Sequence, residues 1–444
     1  MATDDERARV FGFDFNLKPF QTRIIDAALA GQDTFVLMAT GGGKSLCYQL
    51  PPLLGDFVCL VISPLISLMQ NQVLALVQRG IKACFLGSET TNEDVRRIYA
   101  GDFSIVYMTA EKLQTWLPRI PLIKRRIGLI AVDEAHVLSE WGHDFRPEFR
   151  CIHRIRDVLP DTPVMCLTAT ATARVRDDIL ISLLRGSIVS EIGSFDRPNL
   201  TMHVTAKQMS MKRQRGNRRN ATAQTNIEAD ARRIYTLIQH QPISIIYCLT
   251  QKETEQMAEL INECHDDQQR KKEGKEQQQQ NDRPHCLAYH AGMKAVDRTK
   301  IHDDFVANHI PVLTATTAFG MGIDKPDIRV LIHYGVPKSM ETYYQQIGRA
   351  GRDGKPSQCI CFWSGRDFHI HKFLNAKSST GSQLEINNDL LLIMKAYVAE
   401  EHRCRRALLL NYFNEPTTTT ATSTQRRQQM CCDNCNKMIR KTIK

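Results

Sequence analysis

The sequence predicts an α/β protein: two successive parallel-sheet domains, then a small helical module that ends in a cysteine cluster. Three observations carry this. Short β-rich apolar runs recur with helical stretches between them, the series breaks at a basic polar segment and resumes, and Cys431, Cys432 and Cys435 crowd together near the carboxyl end. Alternation of strand and helix is the mark of a parallel sheet covered on both faces.

The first series comprises TFVLMA (34–39), VCLVIS (58–63), SIVYMT (104–109), IGLIAVD (127–133) and VMCLTAT (164–170). Residues 207–226, KQMSMKRQRGNRRNATAQTN, are basic and lack apolar periodicity. They read as a loop, with a nuclear address or a DNA contact as the alternative. The second series runs through ISIIYCLT (243–250), HCLAYHAG, PVLTATTAFG and VLIHYGVP. Within it, residues 264–284 follow the predicted helix QKETEQMAELINE and carry a glutamine run, which reads as a disordered insertion. From about Phe368 the chain turns helical, with Cys404 placed in the predicted helix EEHRCRRALLLNYF.

At 444 residues and 42% hydrophobic content the chain has room for about three domains with ordinary cores. Its formal charge of +10 favours polyanionic partners. Most of the 14 cysteines sit singly, as Cys59 and Cys166 do inside apolar runs, which reads as reduced core thiols of an intracellular protein. The amino terminus has no apolar leader, and no run reaches the ~18 apolar residues of a membrane span. No membrane partner is expected, and the compartment is read as cytoplasm or nucleus.

After the first strand, Ala39, Thr40, Gly41, Gly42, Gly43, Lys44 and Ser45 fit a phosphate loop, with Ala where the first Gly is usual. Small residues let backbone N–H groups converge on phosphate oxygens at a helix start. Lys44 is expected to neutralise the β- and γ-phosphates of ATP and Ser45 to hold Mg²⁺. The strand IGLIAVD ends in Asp133, Glu134, Ala135 and His136. Carboxylates at the carboxyl end of such a strand face the ligand crevice, so Asp133 is assigned to the metal and Glu134 to activating water, with His136 counted beside them. In the second domain, Gln345, Arg349 and Arg352 in YYQQIGRAGRDG sit at short helical spacing. Guanidinium forks of this kind stabilise charge on a transferring phosphoryl group.

With ATGGGKS, VDEAH, TATAT and GRAGRDG in order, the chain resembles superfamily 2 helicases, and within them the RecQ family, its Werner-syndrome helicase type above all. The resemblance implies two tandem RecA-like lobes, over residues 1–198 and 199–366, and a zinc-binding module over 367–444. It implies that Gln21, with Lys18, reads adenine, that SPLISLMQNQV contacts the strand, and that Asp324 in AFGMGIDKPDIR contacts the nucleotide sugar or the strand. LSEWGHDFRPEF (138–149) resembles the family's aromatic-rich loop. Trp141, Phe145 and Phe149 would stack bases, with His143 and Arg146 as polar contacts. Thr168 and Thr170 match the motif linking the ATP and DNA sites and are counted among the expected DNA contacts. Cys404, Cys431, Cys432 and Cys435 match a four-thiolate Zn²⁺ set.

The implied activity is ATP- and Mg²⁺-dependent 3′ to 5′ movement on single-stranded DNA, with unwinding of duplex or branched DNA, in the nucleus. RNA unwinding and a catalytically weak DNA-binding paralogue are the rival readings. The sequence begins almost at the helicase core and stops at Lys444, so neither an exonuclease nor a winged-helix domain is expected within it.

Overall fold

The strands of the first series are apolar along their length because helices cover both faces of the sheet they form. In the computed structural model these are β1 (Thr34–Leu37), β2 (Val58–Ile62), β3 (Ala83–Leu86), β4 (Ile105–Met108), β5 (Ile127–Val132), β6 (Val164–Thr168) and β7 (Val189–Ile192). They lie in the order β3-β4-β2-β5-β6-β1-β7, every pairing parallel. The structure describes residue 12 and residues 17–142, 144–212, 222–241, 243–273, 285–320, 325–415 and 431–442. Two compact units result, one formed largely by the chain up to Phe195 and the other from Asp196 onward.

In the first unit, β5, β6 and β1 are neighbours, so the ends of three strands deliver Asp133, Thr168 and the phosphate loop to one edge of the sheet. At the opposite end Asp33 fastens the strand starts. Its carboxylate is paired with Arg156, both buried, and accepts from the backbone N–H of Val164 (2.8 Å) and Arg185 (2.7 Å). A buried ion pair is tolerated only with such further hydrogen bonds.

The second unit holds a six-stranded parallel sheet, β12-β13-β11-β14-β15-β8, from β8 (Leu200–Ala206), β11 (Ser244–Cys248), β12 (Cys286–Tyr289), β13 (Val312–Ala315), β14 (Val330–Tyr334) and β15 (Ser357–Trp363). The helices Gly365–Ser378, Gly381–Ala399, Arg405–Tyr412 and Asp433–Thr442 follow. Lys207, beside the end of β8, forms a buried 2.9 Å ion pair with Asp367 of the first of these helices.

Three expectations change. The segment 207–226 contains a hairpin, β9 (Met209–Lys212) antiparallel to β10 (Thr222–Thr225), because its ends are pinned where Asn226 N–H donates to Gln208 O at 2.7 Å. The rest of that basic segment lies outside the described residues. The helix from Gln251 runs on to Glu273, ten residues into the segment read as disordered. It does so because Tyr235 donates to Gln268 (2.6 Å), which donates to Gln239 (2.6 Å). The glutamine run beyond it also lies outside the described residues. Finally, Cys404 precedes the helix Arg405–Tyr412 rather than sitting inside it.

Candidate active site and metal centre

The phosphate loop departs from helical geometry where only glycine is cheap. Gly41 and Gly43 have φ of 80° and 89°, and a Cβ on Gly43 would stand 2.6 Å from Gln21 Nε2. Gln21 braces the loop from behind. Its Oε1 accepts from Lys18 N–H (2.8 Å) and its Nε2 donates to Gly43 O (3.0 Å), while Lys18 Nζ donates to Gly42 O (3.1 Å). Lys44 opens the helix Lys44–Gln49, and its ammonium donates to Met38 O at 2.8 Å, turned back over the loop that it would share with phosphate. Thr40 lies in the turn before Gly41.

Asp133 is buried, and that burial first, then the neighbouring Glu134 carboxylate, pushes its carboxyl up to about 7, with Lys44 opposing. Asp133 Oδ1 accepts from Glu134 N–H at 3.0 Å. Glu134 has φ of 52°, a left-handed conformation that turns the chain sharply out of β5. From there contacts run sideways: His136 Nδ1 lies 3.3 Å from Glu134 Oε2 and 2.9 Å from Thr168 Oγ1, and Thr170 N–H donates to that hydroxyl at 3.2 Å.

Thr168 and Thr170 are buried, at 0% and 1% exposure, so neither side chain offers itself to a strand. Their expected DNA contact is corrected to an internal bridge between the ends of β5 and β6. Phe149 is corrected likewise. At 0% exposure it belongs to the core beneath the loop rather than to a stacking surface. Trp141 keeps 36% of its surface and Phe145 is partly buried. Arginines lie over both rings, Arg174 3.1 Å from the Trp141 centroid and Arg150 5.6 Å from that of Phe145. Arg146 donates to Pro64 O at 3.2 Å, joining the loop to the segment after β2. His143 and Asp324 lie outside the described residues.

Gln72 was anticipated only within SPLISLMQNQV, the segment expected to contact the strand, and not beside Ser45. Its Nε2 lies 3.4 Å from Ser45 Oγ and its Oε1 accepts from Tyr48 at 2.6 Å, tying Ser45 to the helix Ile66–Gln78. The signal available was the polar run Gln70, Asn71 and Gln72 between the apolar pairs Leu68–Met69 and Val73–Leu74.

In the second unit the expected helical spacing holds only for Gln345. The helix Met340–Ile347 ends before Arg349 and Arg352, which stand in the glycine-bounded turn that follows. Arg349 is buried, 6% exposed, against Gly320 (φ 121°), where a Cβ would fall 2.8 Å from its guanidinium carbon and 2.6 Å from the Tyr247 hydroxyl. Tyr247 donates to Phe319 O at 3.2 Å and stacks on His333.

The ligand atoms of Cys404, Cys431, Cys432 and Cys435 all lie within 4.8 Å of one another. Four sulfurs about 2.3 Å from a tetrahedral Zn²⁺ would be about 3.8 Å apart, and the Cys404–Cys431 and Cys431–Cys435 separations are 3.5 and 3.6 Å. The donor set fits zinc. Cys432 Sγ accepts from Arg405 and Cys435 N–H, each at 3.4 Å, the outer-shell bonding expected of a liganding thiolate. Arg405 is itself buried and held by Asp433 at 3.0 and 3.1 Å.

Family models match three stretches: DEAD/DEAH box helicase over residues 18–179, helicase conserved C-terminal domain over 229–354 and RecQ zinc-binding over 365–436. The ATP-dependent DNA helicase RecQ of Haemophilus influenzae is 38% identical, covering 91% of this chain and 60% of that protein. A putative ATP-dependent RNA helicase, R290, of Acanthamoeba polyphaga mimivirus is 37% identical, covering 91% and 68%. The bifunctional 3′-5′ exonuclease/ATP-dependent helicase WRN of Mus musculus is 38% identical, covering 95% and 28%. The chain thus spans from about a quarter to two thirds of the length of these relatives. Among solved structures, the helicase MrfA bound to DNA superposes with a TM-score of 0.63 at 20% identity, covering 94% of this chain and 58% of that one.

Proposed function

The chain belongs to the RecQ family of helicases, and on that premise we propose that it is an ATP-dependent DNA helicase that moves 3′ to 5′ along single-stranded DNA and unwinds duplex or branched DNA. The observation that carries this is the position of the aromatic loop. It leaves the proposed hydrolytic pair Asp133 and Glu134 through His136, folds back where Arg146 N–H donates to Val137 O at 3.1 Å, and ends in the core at Phe149, so a strand stacked on Trp141 and Phe145 would be held by the segment that carries the pair. The name of the H. influenzae relative supports DNA as the track, while the mimivirus relative is named as an RNA helicase, which makes the nucleic acid the first point to test.

In this reading Thr40, Gly41, Gly42, Gly43 and Lys44 hold the ATP phosphates, with Lys18 and Gln21 beside the base. Mg²⁺, when bound, offsets the phosphate charge and polarises the γ-phosphoryl group. Ser45 and Asp133 would hold it, Glu134 would take the proton from water, and Gln345, Arg349 and Arg352 would stabilise the charge that develops. Asp324 and His143 keep their inferred contacts with nucleotide or strand. Residues 1–198 and 199–366 act as the two lobes, and residues 367–444 hold a structural Zn²⁺ through Cys404, Cys431, Cys432 and Cys435. The eukaryotic relatives support a nuclear location as part of this proposal.

ATP hydrolysis by the purified chain, with and without single-stranded DNA or RNA of equal length, tests the proposal, alongside a fork-unwinding assay and a Lys44→Ala control. Turnover stimulated by DNA above RNA and lost in the control supports the motor. Stimulation by RNA alone moves the substrate to RNA, and no stimulation of folded, zinc-loaded protein leaves a binding role.

A further inference from the structure

Arg174 has no place in the roles assigned above, yet it forms the tightest cation–ring contact on the aromatic loop. It stands at the second position of the helix Ala173–Leu183, directly after the buried Thr168–Thr170 bridge, and its guanidinium carbon lies 3.1 Å from the Trp141 ring centroid. Both side chains are exposed. A flat cation therefore covers one face of the ring.

Stacking of a base on an aromatic ring is stronger than a solvent-exposed cation–π contact, so a strand that reaches Trp141 displaces the guanidinium from the ring. The displaced group does not leave the interface. Successive bases carry a phosphate between them, and a five-donor fork already beside the ring is suited to receive it. Arg150 over Phe145 makes the same kind of pair but is also ion-paired to Glu140 at 3.1 Å, which holds its charge locally.

We propose that Arg174 is a nucleic-acid contact: it covers Trp141 in the free protein and moves to a backbone phosphate when a base of the single strand stacks on that ring. This rests on the reading of the aromatic loop as the strand-binding surface. It adds to that reading a phosphate-binding residue placed at the start of the helix that follows the Thr168–Thr170 bridge.

Salt dependence separates a phosphate contact from ring packing. Each phosphate neutralised on a single strand contributes about 0.7 to the slope of log K against log salt concentration. The full chain is titrated with a fluorescein-labelled oligothymidine across a salt series, as parent, Arg174→Ala and Trp141→Ala. The expected result is an Arg174→Ala line shallower by about 0.7, with severalfold weaker binding at low salt that converges on the parent at high salt. Arg174→Ala lines parallel to the parent overturn the proposal, whether displaced to weaker binding, as for a ring support, or to tighter binding, as for a mere cover. If Trp141→Ala binds as tightly as the parent, the loop reading itself fails, and Arg174 fails with it as a partner of that ring. Both residues are exposed, so equal melting midpoints for the three proteins are expected.

Discussion

His136 Nδ1 lies 2.9 Å from the hydroxyl of Thr168, across the gap between the ends of β5 and β6. That hydroxyl also accepts from Thr170 N–H at 3.2 Å, and the same imidazole nitrogen lies 3.3 Å from Glu134 Oε2. The carboxylate proposed to activate water is thereby oriented by a residue of the neighbouring strand.

Thr168→Val keeps the shape and removes the hydroxyl, so His136 Nδ1 loses that contact and the buried Thr170 N–H loses its acceptor. That loss costs about 1–3 kcal/mol, which predicts a fall of roughly 5- to 150-fold in DNA-stimulated kcat. KM for ATP stays within about twofold, because the phosphate loop is untouched. Steady-state kinetics at saturating single-stranded DNA checks this. A rise in KM with unchanged kcat would place Thr168 in nucleotide binding instead.

Gly320 and Arg349 give a second prediction. A methyl group at Gly320 would meet the Arg349 guanidinium and the Tyr247 hydroxyl inside 3 Å, in a backbone conformation hostile to any side chain. If Arg349 stabilises charge as proposed, displacing it by about 1 Å is worth about 100-fold in rate, so Gly320→Ala is expected to approach Arg349→Ala in its loss of ATP turnover. The two changes together are expected to be no worse than Arg349→Ala alone, since both act through one guanidinium. Additive losses in the double variant would separate the two residues.

The zinc cluster makes a structural prediction. Met202 of β8 donates its N–H to Cys431 O at 3.1 Å and forms an isolated bridge with Cys432, so the metal-binding turn is fastened to the outer strand of the second sheet. Cys432→Ser is expected to drop bound zinc from one ion per chain to none. It also lowers the melting midpoint by on the order of 10 °C. Atomic absorption and calorimetry measure both. A zinc-free variant that melts with the parent would detach the cluster from the stability of β8.

What could be read from the sequence follows the physics of each feature. The phosphate loop and Asp133 were legible because their chemistry demands fixed residue types at fixed spacing after a strand. Phe149 was misassigned because spacing gives an aromatic ring but not the face it presents, and here its burial is set by packing in the 3-10 turn Pro147–Arg154. Strands β3, β7, β8 and β15 escaped notice. The alternating exposure of β7, Val189 to Ile192, reflects a sheet edge, where apolar content falls. The helix past Cys264 was hidden by composition, its polar glutamine and histidine side chains bonding to the helix beside it instead of to water. The contact between Arg174 and Trp141 joins residues 33 positions apart, and no local pattern encodes it.

Asp133 supplies the pH prediction. Its carboxyl ionises near 7 in the folded chain, against 3.8 ordinarily, because burial and then Glu134 oppose the charge. A folded pKa above the unfolded one means that stability is lost as pH rises from 3.8 to about 7, and above that the buried charge burdens the fold in full. A cation that binds the carboxylate relieves this burden. Mg²⁺ must displace a proton below pH 7, so its apparent affinity rises about tenfold per pH unit up to that point and then levels. The gain in melting midpoint on adding Mg²⁺ is thus larger at pH 8 than at pH 6. Asp133→Asn removes the charge while keeping the shape. It should melt above the parent in Mg²⁺-free buffer at pH 8, show no Mg²⁺-dependent gain, and hydrolyse no ATP, since a site kept strained for chemistry is stabilised when the chemistry is deleted. Thermal scans at the two pH values, with and without Mg²⁺, decide it. An Asp133→Asn variant that melts below the parent in Mg²⁺-free buffer at pH 8 would show that the carboxylate supports the fold instead of burdening it.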